Sequence, residues 1–575
     1  MTLFEVWAPR AGRVDVVVDG GRRTELAGPD DGGWFRGEDP LAGPGDDYRF
    51  SLDGGSPRPD PRSPWQPRGV HGPSRLVDHK AFAWSDAGWA AAALADAVIY
   101  ELHVGTFSAA GTFEGAVDHL DHLVDLGVSA VEIMPVAEFP GCRGWGYDGV
   151  DLWAPHSAYG GPTGLKRLVD ACHAGGLAVV LDVVYNHLGP DGNYLRDFGP
   201  YFTDRYGTPW GEAVNYDGPD SDEVRAFVVA NACMWVRDYH VDGLRLDAVH
   251  AIFDMSATHI VEEIATAVHA LEPELGRRAW VIAESDLNDP RVVRGPETGG
   301  WGCDAQWSDD FHHALHAVLT GERSGYYADF GSLAALAKAL RKVFVHDGCR
   351  SSFRRRRHGR PPTGLPHTRF LGYLQNHDQV GNRAKGERTS ALMGIGRLKI
   401  AAALVLLSPF VPMVFQGEEW AASTPFQYFT DHGDPELGRS VSEGRRREFA
   451  AFGWEPMPGP AGPGGGAAEE AVVVPDPQDP ATFDRSRLDW SELDHPPHAE
   501  LLAWHRDLIR LRREVPALSG ALCSMEVRYD EDARWLALER GPVSVLCNLA
   551  EVEQPVPTSG GASSVVPADG VVIMG

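Results

Sequence analysis

The feature that most constrains this chain is a series of eight short apolar runs separated by segments of helical period. They are "AVIYELHVG" (97–105), "AVEIMPV" (130–136), "AVVLDVVYNH" (178–187), "DGLRLDAVH" (242–250), "WVIAES" (280–285), "DAQWSDDFHH" (304–313), "FLGYLQNHD" (370–378) and "PMVFQGEEW" (412–420). Near-continuous apolar runs alternating with helices are the pattern of parallel β/α units, and eight of them predict a closed (β/α)8 TIM barrel. The sixth run carries the least apolar signal. Between the second and third runs "TGLKRLVDACHAGG" has helical spacing and ends in glycines suited to a C-cap, and "THIVEEIATAVHAL" does the same work between the fourth and fifth.

The flanks read differently. Residues 1–92 alternate apolar and polar in short runs such as "RVDVVVDG", broken by Gly, Pro and Asp turns, which predicts an N-terminal immunoglobulin-like β-sandwich. The barrel is expected over 93–518, with a loop-rich insertion at about 188–216, and a small C-terminal β domain over 519–575. The Gly/Pro-rich stretch 456–471 is expected to be mobile.

Charge narrows the partners. With 52 Lys and Arg against 81 Asp and Glu the net charge is −29, which repels phosphate backbones and anionic lipid, so neither nucleic acid nor a membrane is expected. The longest apolar stretch, 400–415, is broken by Pro409 and Pro412, and the first twenty residues lack the features of a secretory leader. Seven scattered cysteines without zinc spacing read as reduced thiols of a cytoplasmic protein, with no metal site and no cofactor. Carboxylates such as Asp191 and Asp204 could face a calcium ion but are expected to be solvated. The run Arg354–Arg357 is read as a solvated turn without chemistry.

In a parallel barrel, reactive groups gather at the C-terminal strand ends. Asp182, Asn186 and His187 end the third run, Arg245, Asp247 and His250 the fourth, Glu284 the fifth, and Asn376, His377 and Asp378 the seventh. At strand period two, Arg245 and Asp247 share a face, so the guanidinium is expected to hold Asp247 ionised as a nucleophile. Glu284 follows an apolar run and has no neighbouring cation in the sequence, so burial is expected to favour its protonated form, as a general acid requires. That division of roles is retaining glycoside hydrolysis. Trp145, Tyr147 and Trp210 suit stacking on sugar rings. Each residue also has a plainer reading, as a structural ion pair, a helix N-terminal acid, a core histidine or a packed loop aromatic. Four strand ends carrying such groups in order favour the chemical reading.

The segments "DVVYNH", "GLRLDAVH", "AES" and "QNHD" resemble the four signature segments of the α-amylase superfamily, glycoside hydrolase family 13. The resemblance implies that Asp247 is the nucleophile, Glu284 the general acid/base and Asp378 the third carboxylate. Tyr147, His187, Arg245 and His377 then map onto ring-binding positions, with Asp182 and Asn186 in support, and Trp145, His250 and Asn376 join the expected sugar-binding set. Blocks outside these segments, among them "YELHVGTFS", "TDHGDPELGRSV" and "VPDPQDPATFDRSRLDW", resemble one branch of that superfamily. Its members cleave the α-1,4 bond next to the terminal trehalose of a capped maltooligosaccharide. The implied functional partner is the synthase that builds that cap, maltooligosyltrehalose synthase. A glycogen branching or debranching enzyme shares the catalytic residues and is the alternative; a catalytically dead relative is disfavoured because all three carboxylates are present.

Overall fold

In the computed structural model, which describes residues 2–451, 474–519 and 524–575, eight parallel strands close into a barrel. They are β1 (Ile99–Leu102), β2 (Ala130–Ile133), β3 (Ala178–Val183), β4 (Gly243–Leu246), β5 (Trp280–Ala283), β6 (Ala305–Trp307), β7 (Phe370–Gly372) and β8 (Val411–Phe415), and β8 pairs with β1 to close the ring. All eight expected runs therefore contribute a strand, the sixth only three residues long. The Gly/Pro-rich stretch 456–471 lies outside the described residues.

The strand sequences sort themselves by side. Leu244 and Leu246 of β4 point outward into the main core beneath the helices, while inward positions from the lower barrel, including Ile99, Val180, Ile282, Leu371 and Met413, form a second buried cluster. Gly243 keeps β4 close to its neighbour: a Cβ there would stand 3.0 Å from the Cβ of Trp280. The intervening helices bury one stripe each. Helix α1 (Gly161–Ala174) sets Leu165, Leu168, Val169 and Cys172 against the barrel at spacings of three and four. It stops where the Gly175 amide bonds back to Ala171 and Gly176 turns at positive φ. Helices α2 (Ser221–Asp238), α3 (Ile260–Ala270) and α4 (Asp309–Thr320) follow β3, β4 and β6, and the short helix α5 (His377–Gly381) opens directly after β7.

Antiparallel sheets lie toward both termini. Thr2–Trp7 pairs with Trp34–Asp39 beside a four-stranded sheet built from residues 14–75, and Met525–Asp530, Trp535–Arg540, Val543–Asn548 and Gly570–Met574 form another four-stranded sheet. The insertion after β3 carries a hairpin, Phe202–Thr208 with Gly211–Val214. Two buried arginines tie the last part of the chain to the barrel at the C-terminus of helix α6 (Ile395–Leu406). Arg512, on helix α7 (His498–Glu514), donates to the carbonyls of Leu406, Ser408 and Phe410, and Arg540 of the terminal sheet donates to those of Leu407 and Ser408. Among the described residues no helix is long and apolar enough to cross a membrane.

Candidate active site

Arg245 is the centre of the polar cluster at the C-terminal mouth of the barrel. Its side chain is fully buried, Nη1 donates to Asp182 Oδ2 at 2.6 Å and to Asp247 Oδ1 at 2.9 Å, and the guanidinium lies 4.2 Å from the Trp307 ring centroid. Strand register explains the reach, because Arg245 stands opposite Asp182 on β3 and opposite Ile282 on β5. Two residues on from Ile282 the same inward face presents Glu284, whose Oε2 lies 2.8 Å from Arg245 Nη2. This corrects the expectation that Glu284 has no adjacent cation: one guanidinium spans Asp182, Asp247 and Glu284. Burial works against the Arg245 charge, but Asp182, Tyr147, Glu284 and Asp247 outweigh it and hold the group well above its ordinary value. Burial also pushes the Asp182 carboxyl up to about 7 against the pull of Arg245.

Asp247 is fixed from both sides. Its second oxygen accepts from Asn186 Nδ2 at 2.6 Å, and the next residue, Ala248, turns into the left-handed region with φ 39° so that its amide donates to Glu284 Oε2 at 2.8 Å. Asp378 is the most open of the three carboxylates, its side chain 36% exposed, with Asn382 Nδ2 at 3.2 Å.

The Tyr147 hydroxyl donates to Asp182 at 2.6 Å and lies 2.8 Å from His377 Nε2, and its ring stacks on that imidazole. Burial tends to lower the His377 imidazole, but Glu101 and Asp378 overcome it and raise the group to about 9. His187 donates from Nε2 to the Tyr147 carbonyl at 2.9 Å, and burial lowers its proton affinity. From the insertion hairpin, half-exposed Trp210 stacks on His187 with rings 7° from parallel.

Several expected sugar contacts sit elsewhere. Trp145 is 4% exposed, stacks on Phe426 and donates its indole N–H to the Gln427 carbonyl, so it supports the site from behind. Asn376 is buried as the N-cap of α5, in a reciprocal capping box with Gln379 that presents His377 and Asp378. His250 is partly buried on the short 3-10 turn after β4, with Nδ1 enclosed and unpartnered. A cavity of about 290 Å³ opens on the side of Glu284 and Asp378, lined also by Asp286, Asp309, Tyr326 and Phe353. Arg354 lines it too, 3.0 Å from Asp286, which corrects the reading of the arginine run as a turn without a place in the site. The run folds back through a bridge between Arg350 and Arg357, and that turn aims its first arginine inward. Among the described residues no group of three or more His, Cys, Asp or Glu side chains is arranged to hold a metal ion; Asp191 instead meets His71 and the Gly433 amide.

A closed parallel barrel carrying three carboxylates and an embedded arginine at its C-terminal mouth defines a glycosidase of the α-amylase class, and the alpha amylase catalytic-domain family model matches residues 80–205. The chain is 54% identical over 561 residues to the malto-oligosyltrehalose trehalohydrolase of Arthrobacter ramosus, covering 97% of this chain and 94% of that one. It is 50% identical to the enzyme of the same name from Rhizobium sp. strain M-11, covering 95% and 91%. A crystal structure of a Salmonella typhimurium protein, 37% identical, superposes with a TM-score of 0.89, covering 100% of this chain and 97% of that one. The chain belongs to the malto-oligosyltrehalose trehalohydrolase family.

Proposed function

We propose that this protein hydrolyses the α-1,4 bond next to the terminal trehalose of a maltooligosaccharide by retaining double displacement. Asp247 is the nucleophile, Glu284 the general acid/base and Asp378 the carboxylate that binds hydroxyls of the distorted ring. The observation that carries this reading is the single Arg245 guanidinium shared by Asp182, Asp247 and Glu284. It holds two carboxylates on neighbouring strands in fixed orientation, with Asp247 gripped at both oxygens and Glu284 more exposed, at 16% against 9%, toward the cavity where a leaving oxygen would sit. Tyr147, His187 and His377 frame the sugar ring under attack. Water completes the cycle, with Glu284 now accepting its proton. No cofactor takes part. The location proposed is the cytoplasm and the role trehalose biosynthesis, downstream of maltooligosyltrehalose synthase.

The cavity beyond Glu284 supplies the leaving-group side. Trehalose bends the chain at its α,α-1,1 link and has no reducing end, so a pocket shaped to it gains transition-state binding that a linear glucan cannot provide. With about 3 kcal/mol of such binding, kcat/KM for trehalose-capped maltoheptaose exceeds that for maltoheptaose by roughly a hundredfold. Product separation after incubation with each substrate checks this: trehalose is released and no α-1,6 branch forms. Branching of amylose, or equal cleavage of both chains, would transfer the assignment to a branching or debranching enzyme.

Arg354→Ala should narrow that preference about tenfold, chiefly through kcat/KM on the capped chain, because removal of a cavity-lining guanidinium also releases Asp286. Unaltered discrimination would place the trehalose unit away from this wall.

A further inference from the structure

Beneath the residues that frame the sugar ring, β1 and β2 set two glutamates side by side inside the barrel. Glu101 and Glu132 are register partners, and each is 1% exposed. Their surroundings differ. Glu101 Oε2 accepts the backbone N–H of His377 at 3.0 Å, and Oε1 lies 2.5 Å from His377 Nδ1. Glu132 has no hydrogen-bond partner at either carboxyl oxygen. The charged groups that face it come from every neighbouring element: Glu101 from β1, Asp182 from β3, Arg245 from β4 and His377 from α5.

Two adjacent carboxylates walled off from water do not both ionise when the cations beside them are already committed, Arg245 to Asp182, Asp247 and Glu284 and His377 to Glu101. Contact chemistry decides which of the two glutamates keeps its proton. Glu101 is held by two N–H groups of His377, one of them on the imidazole, and such donors favour the anion. Glu132 receives none. Burial first, and then the charge on Glu101, push the Glu132 carboxyl well above its ordinary range.

We propose that Glu132 is a positioning residue that stays protonated across the working pH range, leaving Glu101 as the buried counter-charge beneath a His377 imidazolium aimed at the sugar ring. The inference rests on the reading of His377 as a ring-contact residue. With Nδ1 committed to Glu101, the other ring N–H is left to face Tyr147 and Asp378 at the mouth, so the charge state of the pair below sets what the mouth presents. The sign follows from the raised value near 9: the imidazolium and the stability it brings are fully present below the unbound histidine value, persist at neutral pH, and are lost as pH rises through about 9.

The test reads the His377 titration by NMR in ¹⁵N-histidine-labelled full-length protein, with the His377→Asn spectrum as assignment. Glu132→Gln, which copies the neutral acid in charge and shape, should move that midpoint by less than about 0.3 pH units, while Glu101→Gln should lower it by about two or more. The native protein should also show a protonated-carboxyl infrared band that Glu132→Gln removes. A fall of about one unit or more in the Glu132→Gln midpoint would mean that Glu132 is charged and would overturn the proposal, as would the absence of such a band. If Glu132→Gln fails to accumulate, Glu132→Leu, also neutral, gives the same titration reading. None of these measurements uses substrate, so an error in the trehalose assignment shows in the product separation and leaves them standing.

Discussion

Asp247→Asn and Glu284→Gln should each lower kcat by about three to five orders of magnitude while far-ultraviolet circular dichroism stays that of the native protein. Loss of the nucleophile removes the bond-forming step itself, and loss of the acid leaves the departing oxygen without a proton. The two substitutions are nearly isosteric, and the surroundings tolerate them unequally. At 247 the amide keeps an oxygen to accept from Arg245, although one of the two donors now at the carboxylate, Arg245 or Asn186, then faces an NH2 group. At 284 the Ala248 amide can still find a carbonyl. Stability should therefore fall by about 1–3 kcal/mol at most in either variant, too little to account for the loss of turnover. Retention of more than about a tenth of native kcat in either variant would show that the carboxylate does not perform its assigned step.

Arg245→Leu should abolish measurable hydrolysis and, unlike the carboxylate variants, weaken the fold. Its guanidinium is fully buried and is the shared partner of three acids. Removal of one partner from a buried ion pair costs about 3–5 kcal/mol, part of which the protein recovers by protonating Asp182, a group burial already lifts to about 7. The charge pattern of the mouth is then lost along with its geometry. Arg245→Lys should restore little, because a single ammonium cannot reproduce the fork in which Nη1 serves Asp182 and Asp247 while Nη2 serves Glu284. Activity on the capped oligosaccharide and the midpoint of urea unfolding measure the two effects separately. A leucine variant with a tenth of native kcat/KM would mean that Asp247 and Glu284 are held well enough by Asn186 and the Ala248 amide alone.

How far the sequence carried these conclusions depends on which interactions were local. The barrel strands were legible because each is a short apolar run between helices, and even the three residues of β6 fell where expected. The Arg245–Asp247 pair was legible because strand periodicity puts both on one face. The contact between Arg245 and Glu284 was not, since it depends on β4 lying beside β5 in a register that only the closed barrel fixes. Trp145 illustrates the opposite failure: an aromatic in a glycine-rich loop looks exposed, but Phe426 and the Gln427 carbonyl, nearly three hundred residues away, cover it. Asn376 carries a readable local signal, the glutamine three positions on that completes a capping box, although its place at a strand end points to sugar contact. A run of like charges normally seeks solvent, so nothing local marks Arg354; its inward aim comes from a turn and from Asp286 across the cavity.

The two arginines at the end of α6 bear on how freely such chains could exchange parts. The carbonyls of residues 406–408 and 410 have no helical partners of their own, and the donors that satisfy them come from α7 and from the last four-stranded sheet. Both guanidinium groups are enclosed together, which pushes Arg512 down to about 9 through burial and its neighbour's charge, a strain that the carbonyl bonds offset. A chimera that took its terminal sheet from another protein would have to bring an arginine in the register of Arg540, or leave the Leu407 carbonyl without its arginine donor and Ser408 with that of Arg512 alone. The seam for recombination in this architecture therefore lies before α6, so that both arginines travel with the carbonyls they serve.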